Sequence, residues 1–245
     1  MKIDQSTQST VTELWKSVEP KVKQATHLEN AAQELATGLH TKFSETVVLA
    51  RVFFTVSYDS LPQANKEFVQ KLAQSAGAAS SLKGNTPVLS LLGTHGQEAD
   101  WNDRRKSKGH VGIPLISSAF VGAIPMISRL LKELGVPLNW IDSHDSEIIK
   151  KAVAESSGLF FVDNAVEAKD NEGRKIIAAQ DFVSKYGVKS VFGAGQAYPA
   201  GQILVFVAFC RDTFLRDVAE RFLPLAGLFK GETTSLADPR RIFSN

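Results

Sequence analysis

The stretch "VKSVFGAGQAYPAGQILVFVAFCR", residues 188–211, constrains the fold more than any other. Two runs rich in β-branched and aromatic residues flank "YPAG", a turn composition, and together they predict a hairpin. Alternation along its second strand places Leu204, Phe206, Ala208 and Cys210 on one face, which makes Cys210 a buried structural residue. Gly193 and Gly195 interrupt the first strand. Glycine inside a strand weakens it unless a bulge, a neighbouring backbone or a ligand needs close approach. The runs "TVVLARVFFTVSY" (46–58), "PVLSLLG" (87–93), "HVGIPLIS" (110–117) and "GLFFVDNA" (158–165) have the same strand character. The expected strands lie near 46–57, 87–93, 110–116, 158–163, 188–197 and 202–210.

Helical signals fill the intervals. Thr10 and Glu13 match the capping box that opens a helix. Val11, Val18, Ala25, Ala32 and Leu39 then recur every seven residues, with Leu14, Leu28 and Leu35 forming a second seam broken by Lys21. This predicts a long N-terminal helix, kinked or split at Pro20, that lies on its own domain or is shared across a homodimer. Further helices are expected after Pro62 and from Ser117 or Ser118 to Gly135. Others are expected over 145–155, 175–186 and 212–230, the last with Phe214, Val218, Phe222, Leu225 and Phe229 on one face. The fold class is α+β, a six-stranded antiparallel sheet flanked by helices with a long helix at the N-terminus. The expected organisation is a helical region over 1–44, one domain over 45–230 with a helical insert at 117–156, and a polar tail over 231–245, poorly ordered until "RIF" (241–243).

Composition narrows the function classes. The 245 residues are 43% hydrophobic and 22% charged, which is ordinary for a globular protein. A net charge of +2 gives no field that would draw nucleic acid or an anionic membrane. No apolar run approaches the ~18 residues that cross a bilayer, and "MKIDQSTQSTVTELWK" lacks the apolar core of a signal peptide, so a cytoplasmic location is expected. The single cysteine excludes internal disulfides and multi-cysteine metal centres. Gly193-Ala194-Gly195 lacks the third glycine and following helix of a dinucleotide fingerprint, and no nucleophile elbow or Walker loop occurs. Asp163, Glu167, Asp170 and Glu172 lack calcium-loop spacing and read as a solvated loop.

One connection differs from the rest. "THGQEADWNDRRKSKGH" (94–110) carries charge on seven of its seventeen residues and holds two of the five histidines and one of the three tryptophans. Trp101, Asn102, Arg104, Arg105 and His110 supply stacking, hydrogen bonding and anion recognition. In the bland reading, Trp101 plugs a domain edge and the charges face water. In the sharper one, residues 101–110 form a wall of a binding site. His95, Asp100, Asp103 and His110 match no metal-ligand spacing, so neither a metal nor a cofactor is assigned. His110 precedes a strand, where a histidine can change charge near neutral pH.

"WNDRRKSKGHVGIPL" (101–115) and "FVSKYGVKSVFGAGQAYPAGQILVFVAFCR" (182–211) resemble segments of GAF-like regions that precede kinase or phosphatase modules in bacterial signalling proteins. The closing "GQILVFVAF" and the helix after it are similar to the last hairpin and helix of a GAF domain. The resemblance implies an antiparallel sheet with the N- and C-terminal helices on one face and a ligand pocket on the other. GAF-like folds bind cyclic nucleotides, haem, bilins, amino acids or nothing known, and the resemblance does not choose among them. The resulting expectation is a cytoplasmic, non-catalytic sensory or regulatory domain that binds a small molecule or a signalling partner and forms a homodimer. Its ligand contacts would come from Trp101, Arg104 and His110, with Asn102 and Tyr186 behind them and Gly193 and Gly195 permitting close approach. The alternatives are a small enzyme using His110 with Asp103 or Arg104 in acid–base work, and a pure protein–protein interaction module.

Overall fold

The computed structural model describes residues 1–143 and 158–244; the helix expected over 145–155 lies outside them. The strands are β1 (Val47–Ser57), β2 (Pro87–Gly96), β3 (Gly112–Pro114), β4 (Leu159–Val162), β5 (Ser190–Ala197) and β6 (Ile203–Cys210). They form one sheet in the order β3-β2-β1-β6-β5-β4, every neighbouring pair antiparallel. The expected hairpin is β5–β6, and the fold is the α+β arrangement that the strand runs implied. β3 is shorter than expected because His110 adopts a left-handed backbone, with φ 54°, which no extended strand accommodates.

The helices are α1 (Gln8–Gln24), α2 (Leu28–Lys42), α3 (Gln63–Ser75), α4 (Ser118–Gly122), α5 (Pro125–Glu133), α6 (Asn139–Ser143), α7 (Gln180–Tyr186), α8 (Arg216–Glu220) and α9 (Leu223–Thr233). The capping box lies one turn earlier than the sequence suggested. Thr7 accepts from the Thr10 N–H while the Thr10 hydroxyl accepts from the Thr7 N–H. Nor does the helix break at Pro20. Lys16, whose carbonyl loses its partner there, is on the exposed side, so water can serve it and α1 continues to Gln24. The break comes at Ala25, whose backbone is extended.

The expected helix over 118–134 is divided at Ile124, which precedes Pro125 and is therefore turned out of helical geometry. The closing helix is likewise two pieces, α8 and α9, with Pro224 in the first turn of α9. The helix expected over 175–186 begins only at Gln180 and ends at Gly187, whose φ of 64° suits a left-handed cap.

The sheet divides the core in two. On one face Ala50, Val52 and Phe54 of β1 and Leu204, Phe206, Ala208 and Cys210 of β6 pack beneath α1, α2, α8 and α9. On the other, Leu49 and Phe53 join Val205, Val207 and Phe209 beneath α5, α6 and α7. The period-two alternation expected for β6 is thus the observed one. The seven-residue seam of the first helix is also explained: Val11, Leu14, Val18, Leu28, Ala32, Leu35 and Leu39 are all buried in this chain's own core. That burial removes the sequence-based motive for a dimer along the seam.

The C-terminal tail packs back on α2 at the "RIF" stretch, where order was expected to return. Ile242 is buried, its carbonyl accepts from the Glu29 N–H at 2.9 Å, and the Ser244 N–H donates to Glu29 Oε2 at 3.0 Å. The acidic segment after β4 is a tight turn, in which Asp170 pairs with Arg174 and Arg174 donates to the Gly122 carbonyl at 2.8 Å.

Candidate functional site

On the face away from α1 and α2, the sheet leaves a cavity of about 680 Å³, within the range typical of small-molecule sites. Leu49 and Arg51 of β1 and Phe209 of β6 form its floor. Segment 98–110 makes one wall, and Ile176 to Ala179 with α7 make the other. Ile124, Pro125 and Met126, at the junction of α4 and α5, close a third side. The broken helix that the sequence concealed is therefore part of the cavity.

Local structure explains the aromatic wall. Phe182 and Tyr186 are four residues apart on α7 and so share one face. Trp101 meets both rings edge-on, its centroid 4.7 Å from Tyr186 and 5.7 Å from Phe182. Phe182 in turn meets Phe209 at 5.4 Å. Trp101 is seated above Gly96, where any Cβ would lie 2.7 Å from the indole. Asn102 holds that geometry from behind, its Oδ1 accepting from the Gly96 N–H at 2.9 Å. Of the residues singled out in sequence, Trp101, His110 and Tyr186 line the cavity; Asn102 braces the segment that carries them.

Arg104 corrects the expectation of a ligand contact. Its guanidinium lies on the helix side, donating to Glu29 Oε2 at 2.8 Å and to Asn65 Oδ1 at 3.4 Å, with Phe243 5.0 Å away across its face. Arg104 is 5% exposed and Glu29 4%, so this is a buried ion pair, committed to packing. Arg105 completes the clamp at 3.0 Å from Glu29 Oε1. Gly193 and Gly195 also serve packing. A Cβ at Gly193 would lie 2.3 Å from the Phe206 carbonyl, and one at Gly195 would meet the Leu204 carbonyl and the Leu134 side chain. The close approach these glycines allow is to β6 and to the end of α5.

The acid–base constellation envisaged around His110 does not assemble. Asp103 caps its own turn by accepting from the Arg105 N–H, and Arg104 is held by Glu29. His110 opens onto the cavity, but the surrounding protein and then the charge of Arg51 hold its imidazole below the usual histidine pKa. Its neutral form is thereby favoured. His95 pairs instead with His40, Nδ1 to Nδ1 at 3.1 Å, and burial lowers both pKa values, that of His40 to about 4.

The residue that sequence reasoning missed is Arg51. It sits mid-strand on β1, opposite Thr94 of β2 and Val207 of β6, and lines the cavity floor. Its Nη1 donates to the Gly109 carbonyl at 3.0 Å and its Nη2 to Ser107 Oγ at 3.2 Å. Burial lowers its pKa to about 10, which leaves it cationic at neutral pH. The signal was present: it is the only charge in "TVVLARVFFTVSY".

Three solved structures show what the chain is similar to. One is a phycoerythrobilin-bound GAF domain from a cyanobacterial phytochrome, at 9% identity and a TM-score of 0.48 over 92% of this chain and 95% of that one. Another is the GAF domain of an Acinetobacter phosphoenolpyruvate-protein phosphotransferase, at 10% identity and a TM-score of 0.44 over 92% and 93%. A third is an N-acylhomoserine-lactone-dependent LuxR-family transcription factor from Burkholderia cenocepacia, at 12% identity and a TM-score of 0.42 over 95% and 97%. No protein family and no curated protein matches the chain by sequence. The chain's own topology has the GAF-like arrangement that the resemblance implied: terminal helices on one face of the sheet, a cavity on the other.

Proposed function

We propose that this chain is a cytoplasmic, non-catalytic sensory or regulatory domain that takes a small molecule into the cavity between β1, segment 98–110 and α7. The observation that carries the reading is a cavity large enough for a drug-sized molecule, with Trp101, Phe182, Tyr186 and Phe209 forming its aromatic wall and charged side chains along its border. A filled interior would have supported a pure interaction module instead. Segment 98–110 gives a route for the signal, because it lines the cavity through Trp101 and grips α2 and the C-terminal tail through Arg104 and Arg105. A signalling partner would read that segment or the tail.

The test uses N-phenyl-1-naphthylamine, an uncharged dye that fluoresces in apolar cavities. The expected result is saturable binding by the intact protein. That binding should be abolished by Ala178→Trp, which places an indole in the cavity from an exposed position. Failure of the unaltered protein to bind the dye, or undiminished binding by the variant, would sink the reading.

A further inference from the structure

The cavity floor holds a cation with no paired carboxylate among the described residues. Among the described residues, no carboxylate forms an ion pair with Arg51; both of its hydrogen-bond acceptors, the Gly109 carbonyl and Ser107 Oγ, are neutral. A guanidinium has five N–H donors. Two are accounted for, Nε is enclosed as it is in Arg104, and each Nη keeps a second hydrogen. A half-buried guanidinium with no paired carboxylate keeps Nη hydrogens open to the cavity, and these point to an anionic ligand that would accept them.

The rest of the lining agrees. Lys106 and Lys108 border the same cavity. Glu98 and Asp100 border it too, but Glu98 acts on Lys185, which also lies against the Tyr186 ring at 4.9 Å. Counting Lys185, four cations among the described residues line the cavity against the carboxylates of Glu98 and Asp100. Above this positive floor the walls are aromatic and aliphatic.

We infer that the ligand is an amphipathic carboxylate: an anionic head paired with Arg51 and an apolar or aromatic body against Trp101, Phe182 and Tyr186. Carboxylate is favoured over phosphate on charge. One guanidinium matches one negative charge, whereas a phosphate monoester carries nearly two and the remaining cations are more exposed than Arg51. Its flat fork also fits a carboxylate's two oxygens. The inference rests on the small-molecule reading above and fails separately from it.

The experiment displaces N-phenyl-1-naphthylamine with decanoate, decanol and decyl phosphate, each below its micellar concentration. In the unaltered protein, decanoate should displace the dye at about one-tenth the concentration that decanol needs, a charge-assisted pair being worth about that factor. Arg51→Met should erase the difference, each competitor being compared at the dye affinity measured for the variant itself. Equal displacement by decanoate and decanol in the unaltered protein overturns the anionic head, and needs no variant to fold. Tighter displacement by decyl phosphate overturns the carboxylate. Retention of the decanoate preference in Arg51→Met overturns the role of Arg51. Absence of dye binding overturns the cavity reading itself.

Discussion

Arg104 and Arg51 lie on opposite sides of one sheet and have opposite surroundings. Arg104, among the terminal helices, is matched by Glu29 in a buried ion pair that also holds the tail through the Ser244 N–H. Arg51, on the cavity side, rests on a carbonyl and a hydroxyl with no carboxylate paired to it among the described residues. The helix face is closely packed, its cluster running from α1 to Ile242. The cavity face keeps an open volume with a charge on its floor. The difference separates residues that hold the fold together from residues that the fold holds ready.

Breaking the ion pair is the strongest test of that contrast. Glu29→Ala should lower unfolding stability by about 3–5 kcal/mol, because it leaves Arg104 buried and unmatched. Denaturant titration measures this, and a loss below about 1 kcal/mol would mean the clamp is not the anchor it looks to be. Dye binding should survive in Glu29→Ala under conditions where it remains folded.

Acid compares the two faces through their histidines. His40 on α2 and His110 at the cavity both have pKa values below 6.5 in the folded chain, so their neutral forms are favoured by folding. Unfolded chains take up the proton first, so stability is full above about pH 6.5 and falls as pH drops. For His40 the loss runs down to about pH 4. His40→Gln should therefore flatten the fall in melting temperature between pH 6.5 and 4 more than His110→Gln does. The reverse order would show that the cavity histidine is the more strongly held.

Cys210 probes how closely the helix face is packed. It is fully buried, and burial, then Asp212, raises its thiol pKa well above the ordinary value. Cys210→Ala should cost about 1 kcal/mol, as a small truncation in a core, and thiol reagents should label the native protein only as fast as it unfolds. Rapid labelling would contradict that packing.

The smallest effect is expected at Arg51. Arg51→Met should change stability by no more than about 1 kcal/mol, because it removes a charge that has no partner to strand. Ser107 still donates to the Gly109 carbonyl at 3.0 Å and so keeps that turn closed. A loss comparable to that of Glu29→Ala would make Arg51 a structural brace, and the two sides of the sheet would then be alike.

Much of the fold was legible because burial on a strand is written locally. Leu204, Phe206, Ala208 and Cys210 alternate with Val205, Val207 and Phe209 along a few residues of chain, and each set faces its own half of the core. Helix ends were less legible. Pro20 and Pro125 carry the same local signal, yet one helix runs through its proline and the other begins at it. The deciding factors were exposure of the orphaned carbonyl and the conformation of the preceding residue.

The candidate site was half legible. Trp101 and His110 stood out by composition, and α7 placed Tyr186 beside Trp101. Arg104 stood out equally and proved to be structural, whereas Arg51 passed as one polar residue in a buried strand. Sequence by itself determined the class of fold, the places of the strands and the two faces of β6, because those follow from local stereochemistry and hydrophobic periodicity. Only the tertiary structure decided which arginine is paired. The answer depends on Glu29, 75 residues from Arg104, and on a turn 58 residues from Arg51, and charge compensation depends on distance in space, not along the chain.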